Sequence, residues 1–115
     1  MDESILTSVK KMCGIMKEYD AFDLDLIMHI NSVFMILYQM GVGPDKPFHI
    51  EDDEAIWSDF ISEENYDTVK SYVGLKVRLL FDPPSSSIHM ESIKGLISEL
   101  EWRLYTEAEL DANKQ

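Results

Sequence analysis

The chain has a single cysteine, Cys13, among 115 residues, so no intrachain disulfide framework is possible and the four-cysteine and Cys–His zinc patterns are absent. Cys13 has Lys10, Lys11 and Lys17 near it in sequence, which favours a lowered thiol pKa, but no histidine is close enough in sequence to act as its base; a small apolar helix-end residue is the plainer reading. The five glycines are scattered singly, which excludes a glycine-rich phosphate loop. The three histidines, His29, His49 and His89, fall on different segments, and HExxH does not occur. Asp25 and His29 at i,i+4 are the one metal-like spacing, and an ordinary helical polar pair explains them. No apolar run approaches the roughly 20 residues that span a bilayer. The start, MDESILTSVKK, lacks the basic and then apolar regions of a signal peptide, so a cytoplasmic site of folding is expected.

Basic residues are also scarce. Ten Lys and Arg stand against 22 Asp and Glu, a formal net charge of −12. Binding nucleic acid by neutralising phosphates needs clustered cations, and docking on anionic lipid needs them too, so neither is expected. The acidic run Glu51, Asp52, Asp53, Glu54, Asp59, Glu63, Glu64 and Asp67 contains no base. A calcium loop beginning at Asp52 or Asp53 requires glycine at its sixth position, where Trp57 or Ser58 stands. The run therefore reads as a solvated acidic surface, or as one that repels DNA or meets a basic partner.

What the chain does have is helical periodicity. The pattern predicts an all-α fold: a small bundle of four main helices plus one short helix, with a long loop between helices two and three. The first helix spans Glu3–Met12, capped by Asp2, with Ile5, Leu6, Val9 and Met12 inward, Lys10 and Lys11 in the last turn, and Gly14 closing it in the left-handed conformation. The second, Asp20–Met40, is apolar around most of its circumference; Asp20 with Asp23 resembles a capping box, and Gly41 stops the helix. Residues 42–53 hold two prolines and no helical period. The short helix, EAIWSDFI, turns Ile56, Trp57, Phe60 and Ile61 inward.

The third main helix spans Ser62–Asp82, with Ser62 as N-cap, Val69, Val73, Val77 and Leu80 as its stripe, and Pro83–Pro84 as a hard stop. The last, Ile88–Ala112, starts behind capping candidates Ser85 to Ser87 and carries His89, Ile93, Leu96, Ile97, Leu100 and Leu104 inward, with Glu99 and Arg103 paired outside. Residues 1–105 are expected to form the domain and 106–115 a charged tail that frays. Met28, Trp102 and Tyr105 fall off the inward stripes. Together with seven methionines they point to a subunit interface, against peripheral packing as the plainer reading. Lys76 and Arg78 stand roughly 200° apart around their helix, so at least one is expected to meet an acidic neighbour; a pair across a subunit boundary is the sharper reading, and an ordinary intrachain or solvated charge the plainer one for either singly.

The segments AFDLDLIMHINSVFMILYQMGVGP, IEDDEAIWSDFI and VKSYVGLKVRLLFDPPSSS resemble the head–tail connector (adaptor, or head-completion) family of tailed bacteriophages. The resemblance implies a structural virion protein and no enzyme, with no catalytic, metal or cofactor residues to carry over. It implies self-assembly into a ring, dodecameric in the virion, made and assembled in the bacterial host cytoplasm and sited at the head–tail interface. The implied partners are the portal protein and a stopper or tail-completion protein. DNA passes through the channel without specific binding, and no membrane is involved. The C-terminal segment after Trp102 is the part expected at the portal. An acidic DNA mimic or regulatory inhibitor that binds a basic protein is the competing reading.

Overall fold

The computed structural model describes residues 3–113, and for Glu63, Ala112 and Asn113 the backbone path alone. Four α-helices follow one another: α1 (Ile5–Met12), α2 (Asp23–Gln39), α3 (Tyr66–Phe81) and α4 (Ser87–Asn113). Single 3-10 turns at Trp57–Asp59 and Glu63–Asn65 lead into α3. The long connection between α2 and α3 and the all-α class are as the sequence predicts, and the short helix is a single turn. α3 is central: it packs against α1, α2 and α4, while α1 also packs on α2.

Helix ends show which local signals operate. Asp2, the expected cap of α1, lies outside the described residues; Ser4 is the N-cap, its Oγ accepting from the Thr7 N–H at 3.2 Å. Gly14 closes α1 at φ +76°. The expected Asp20 cap is not formed. α2 begins at Asp23 behind Phe22, with no side-chain cap bond. The reason lies in Asp23, whose Oδ1 stands 2.9 Å from the Lys10 ammonium, off hydrogen-bond alignment, instead of reaching back to the helix start. Lys10 is itself buried and donates to the Lys17 carbonyl at 2.9 Å, so it ties α1 to α2 as well as standing in the last turn of α1.

Ser62 does not cap α3 directly either. The 3-10 turn intervenes, and α3 starts behind Asn65, again without a side-chain cap bond. Its end is the expected one, with Asp82 extended before Pro83. Ser86 caps α4: its Oγ lies 3.5 Å from the His89 N–H and its carbonyl accepts from Met90 at 2.9 Å. The helix continues unbroken through Asn113.

The core is built from Ile5 and Val9 of α1, Leu26, Ile30, Val33, Phe34 and Leu37 of α2, and Val69, Tyr72, Val73 and Val77 of α3. Trp57 is fully buried and donates its indole N–H to Ser8 Oγ at 2.9 Å, satisfying the polar tip that a buried Trp carries. A close approach of α1 to α3 explains Gly74, where a Cβ would collide with Met12 Sδ. Phe34, Phe48 and Phe60 cluster with ring centroids 4.5–5.2 Å apart and anchor the connection on α2. The Asn31 carboxamide grips the same connection from both sides of one residue, accepting from the Ile50 N–H at 2.8 Å and donating to the Ile50 carbonyl at 3.0 Å.

Three expected inward residues face out. Leu80 is 46% exposed in the last turn of α3, and Leu96 is half-exposed beside the buried Ile97. α4 rests mainly on α3, so a single narrow stripe, Ile93, Ile97, Leu100 and Leu104, is covered. A wider apolar arc has nothing to pack on. His89 is exposed for the same reason.

The Tyr72 hydroxyl, donating to Glu101 Oε2 at 2.8 Å, ties α3 to α4. Burial, and then the Glu101 carboxylate, push this phenol well above its ordinary value of 10.0. A folded-state pKa raised above the unfolded one gives stability that is complete below the unfolded pKa and is lost as pH rises beyond it. Stability in constant urea is therefore expected to decline from about pH 10 upward. The Tyr72→Phe variant should show a shallower decline in a pH series followed by circular dichroism.

Candidate functional site

Polar chemistry is sparse on this fold. Among the described residues no group of three His, Cys, Asp or Glu stands where it could hold a metal ion, and no helix is long and apolar enough to cross a membrane. The clefts beside the Gly41–Pro44 turn are open to solvent and are lined by α4 residues such as Leu104 and Ala108. His29 sets its ring edge toward Phe81, centroids 6.4 Å apart, and is not ion-paired with Asp25. Cys13 is half-buried, and burial raises its thiol pKa against an opposing pull from Arg78. The expected lowering by the neighbouring lysines does not occur, since Lys10 is committed to Asp23 and the Lys17 carbonyl.

The acidic residues divide by structural role. Glu51, Asp52, Asp53, Glu54, Asp59, Glu64 and Asp67 are all exposed, while the Glu63 side chain lies outside the described set. Two of them also shape the chain. Asp52 Oδ1 accepts from the Glu54 N–H at 2.9 Å, and Asp59 Oδ2 accepts from the Ile56 N–H at 3.0 Å, fixing the turn that inserts Trp57. Glu51 stands 3.8 Å from His49. Among the described residues Asp53, Glu54, Glu64 and Asp67 have no basic partner within 4.0 Å.

Among the described residues three basic side chains, Lys10, Lys70 and Arg103, have acidic partners. Lys70 donates to Glu3 Oε2 at 3.0 Å and to the Tyr66 hydroxyl, and its hydrogen bond holds the Glu3 carboxyl below the ordinary carboxylate range. Arg103 pairs with Glu99, one turn back on the outside of α4. Lys76 is half-buried and Arg78 exposed, and among the described residues neither has an acidic partner within 4.0 Å.

Apolar exposure is the strongest feature. Met28 (67%), Trp102 (68%) and Tyr105 (55%) stand in solvent, and they are joined by Leu24, Met35, Ile88, Leu96 and Leu110. On α2 the exposed residues Leu24, Met28 and Met35 lie opposite the buried Leu26, Ile30, Val33 and Leu37. On α4, Ile88, Trp102 and Leu110 lie opposite Ile97 and Leu104, with Leu96 and Tyr105 on the flanks between. Sequence reading singled out Met28, Trp102 and Tyr105 because they leave the inward stripe. It passed over Leu24, Ile88 and Leu110, although the seven-residue spacing of Met28 and Met35 already marked a second face on α2.

The fold is thus a small helical bundle with a filled core and large apolar side chains left exposed, most of them on α2 and α4. The family model for phage connector proteins matches residues 5–111, and the chain belongs to that family. It is therefore a structural component of a virion that assembles with other virion components. No curated protein sequence and no solved structure matches the chain.

Proposed function

We propose that the protein is a head–tail connector that assembles as a dodecameric ring beneath the portal, extends the DNA channel and offers the docking surface for the stopper or tail. The observation that carries this reading is the pair of uncovered apolar faces on α2 and α4, in a chain whose core is already complete. A ring uses two different patches per subunit, one for each neighbour. The exposed carboxylates of the Glu51–Asp67 band suit a lumen or partner-facing rim, because a conduit of negative potential does not hold a polyanion. Lys76 and Arg78, without intrachain partners among the described residues, are the cations assigned to a neighbouring subunit. The segment after Trp102 is assigned to the portal.

Light scattering after size exclusion, across concentration and salt, tests the ring. Each copy carries a net charge of −12, so contacts that are mainly apolar should strengthen as salt rises from about 50 mM to about 500 mM and screens the repulsion. High-order particles and retention on the cognate portal are expected. A monomer that does not bind the portal, and instead binds a DNA-binding protein through its carboxylates, would replace the connector reading with the DNA-mimic one. Charge reversal at both Lys76 and Arg78 should impair assembly, and intact assembly would remove those two from the boundary.

A further inference from the structure

Among the described residues nothing packs against Gly95. It lies inside α4, where glycine is a costly choice relative to alanine, yet a Cβ built on it would meet nothing within 4 Å. Ile88 and Trp102 stand seven residues to either side, 76% and 68% exposed. Residues seven apart nearly align along a helix, so these three form one outward line, a notch between two large apolar side chains. The opposite side of α4 is the stripe that packs toward the core through Ile97 and Leu104.

α2 presents the complementary shape. Leu24, Met28 and Met35 run along its outer face, unbranched or flexible side chains that fill irregular gaps, and Met28 and Met35 share the same seven-residue spacing. α2 and α4 each pack on α3, and the turn after α2 comes near α4 where Gly41 faces Ala108. The knobs and the notch are thus on different flanks of one molecule and cannot satisfy each other within it. A large side chain removes about 150–250 Å² when fully buried. At their exposures Leu24, Met28, Met35, Ile88 and Trp102 together offer roughly 500–800 Å², enough for the apolar centre of a specific protein contact.

We infer that the outer face of α2 in one copy packs on the outer face of α4 in the next copy, with Met28 seated over Gly95 between Ile88 and Trp102. The inference rests on the self-assembly proposed above and names its contact. The two patches differ, so the contact adds copies head to tail and does not close as a two-fold dimer.

Cysteine cross-linking of the full chain tests this in a Cys13→Ser background. Under a mild oxidant, a Met28→Cys chain mixed with a Gly95→Cys chain should give a disulfide-linked heterodimer, with little product from either alone. A chain carrying both substitutions should give a ladder beyond the dimer. In a companion experiment, Gly95→Leu should raise the melting temperature of the monomer, since the site is open and leucine favours helix, while weakening assembly at least tenfold. Products from either single-cysteine chain alone that stop at the dimer would overturn the pairing, as would Gly95→Leu assembling as well as the parent. Assembly without the 28–95 cross-link would remove this contact and leave the ring reading standing. Absence of self-association under every condition would remove both.

Discussion

Replacing Trp57 with alanine is expected to cost about 4–5 kcal/mol, a large share of what holds a domain of this size together. The indole is fully buried, so its removal opens a cavity beneath α1 and α3. It also takes away the donor that stands 2.9 Å from the Ser8 hydroxyl, itself buried. Urea unfolding followed by circular dichroism should show a midpoint lowered by more than half, or no cooperative transition at 37 °C. Trp57→Phe separates the two contributions: it keeps most of the volume and loses the hydrogen bond, so it should cost about 1–3 kcal/mol. Equal losses for the two variants would mean that the polar contact, and not the packing, dominates.

The second large effect is expected at Gly43. Its φ of +96° is a conformation that side chains rarely adopt, and a Cβ there would lie 2.7 Å from Phe60 Cε1. Phe60 cannot yield easily, because Phe34 and Phe48 hold its ring from two directions. Gly43→Val should therefore destabilise by about 3–5 kcal/mol, combining backbone strain with overpacking. Gly14 supplies the control. It too has positive φ, but nothing lies within 4 Å of an added Cβ. Gly14→Ala should cost about 1 kcal/mol, the strain alone. Thermal melts of the two variants side by side would give the packing share as the difference, and a Gly43→Val cost no greater than that of Gly14→Ala would refute the clash.

Helix identity and the hard stops were legible in the sequence because they depend on neighbours in the chain. Asp82 before Pro83, Gly14 after α1 and the serines before α4 all act as their local chemistry predicts. The misread starts of α2 and α3 have a common cause. An aspartate or serine before a helix is a cap only if nothing farther away engages it or reshapes the turn, and Lys10 engages Asp23 from another helix. Leu80 and Leu96 show a different limit: periodicity says which residues share a face, not whether another helix arrives to cover it. The acidic band and the exposure of Met28, Trp102 and Tyr105 could be read from pattern. Gly95 could not, since a single mid-helix glycine acquires meaning only when the space around it is known to be empty.

The Trp57–Ser8 and Lys70–Glu3 contacts join residues 49 and 67 positions apart. During synthesis, α1 leaves the ribosome well before the residues that will hold it. Its eight residues are too few to stay helical in isolation. The residues of α1 therefore wait without stable structure until those of α3 have been made, and the core they share closes in one step. Until that step the outer face of α2 has no folded core behind it, so it offers no fixed surface to other virion components.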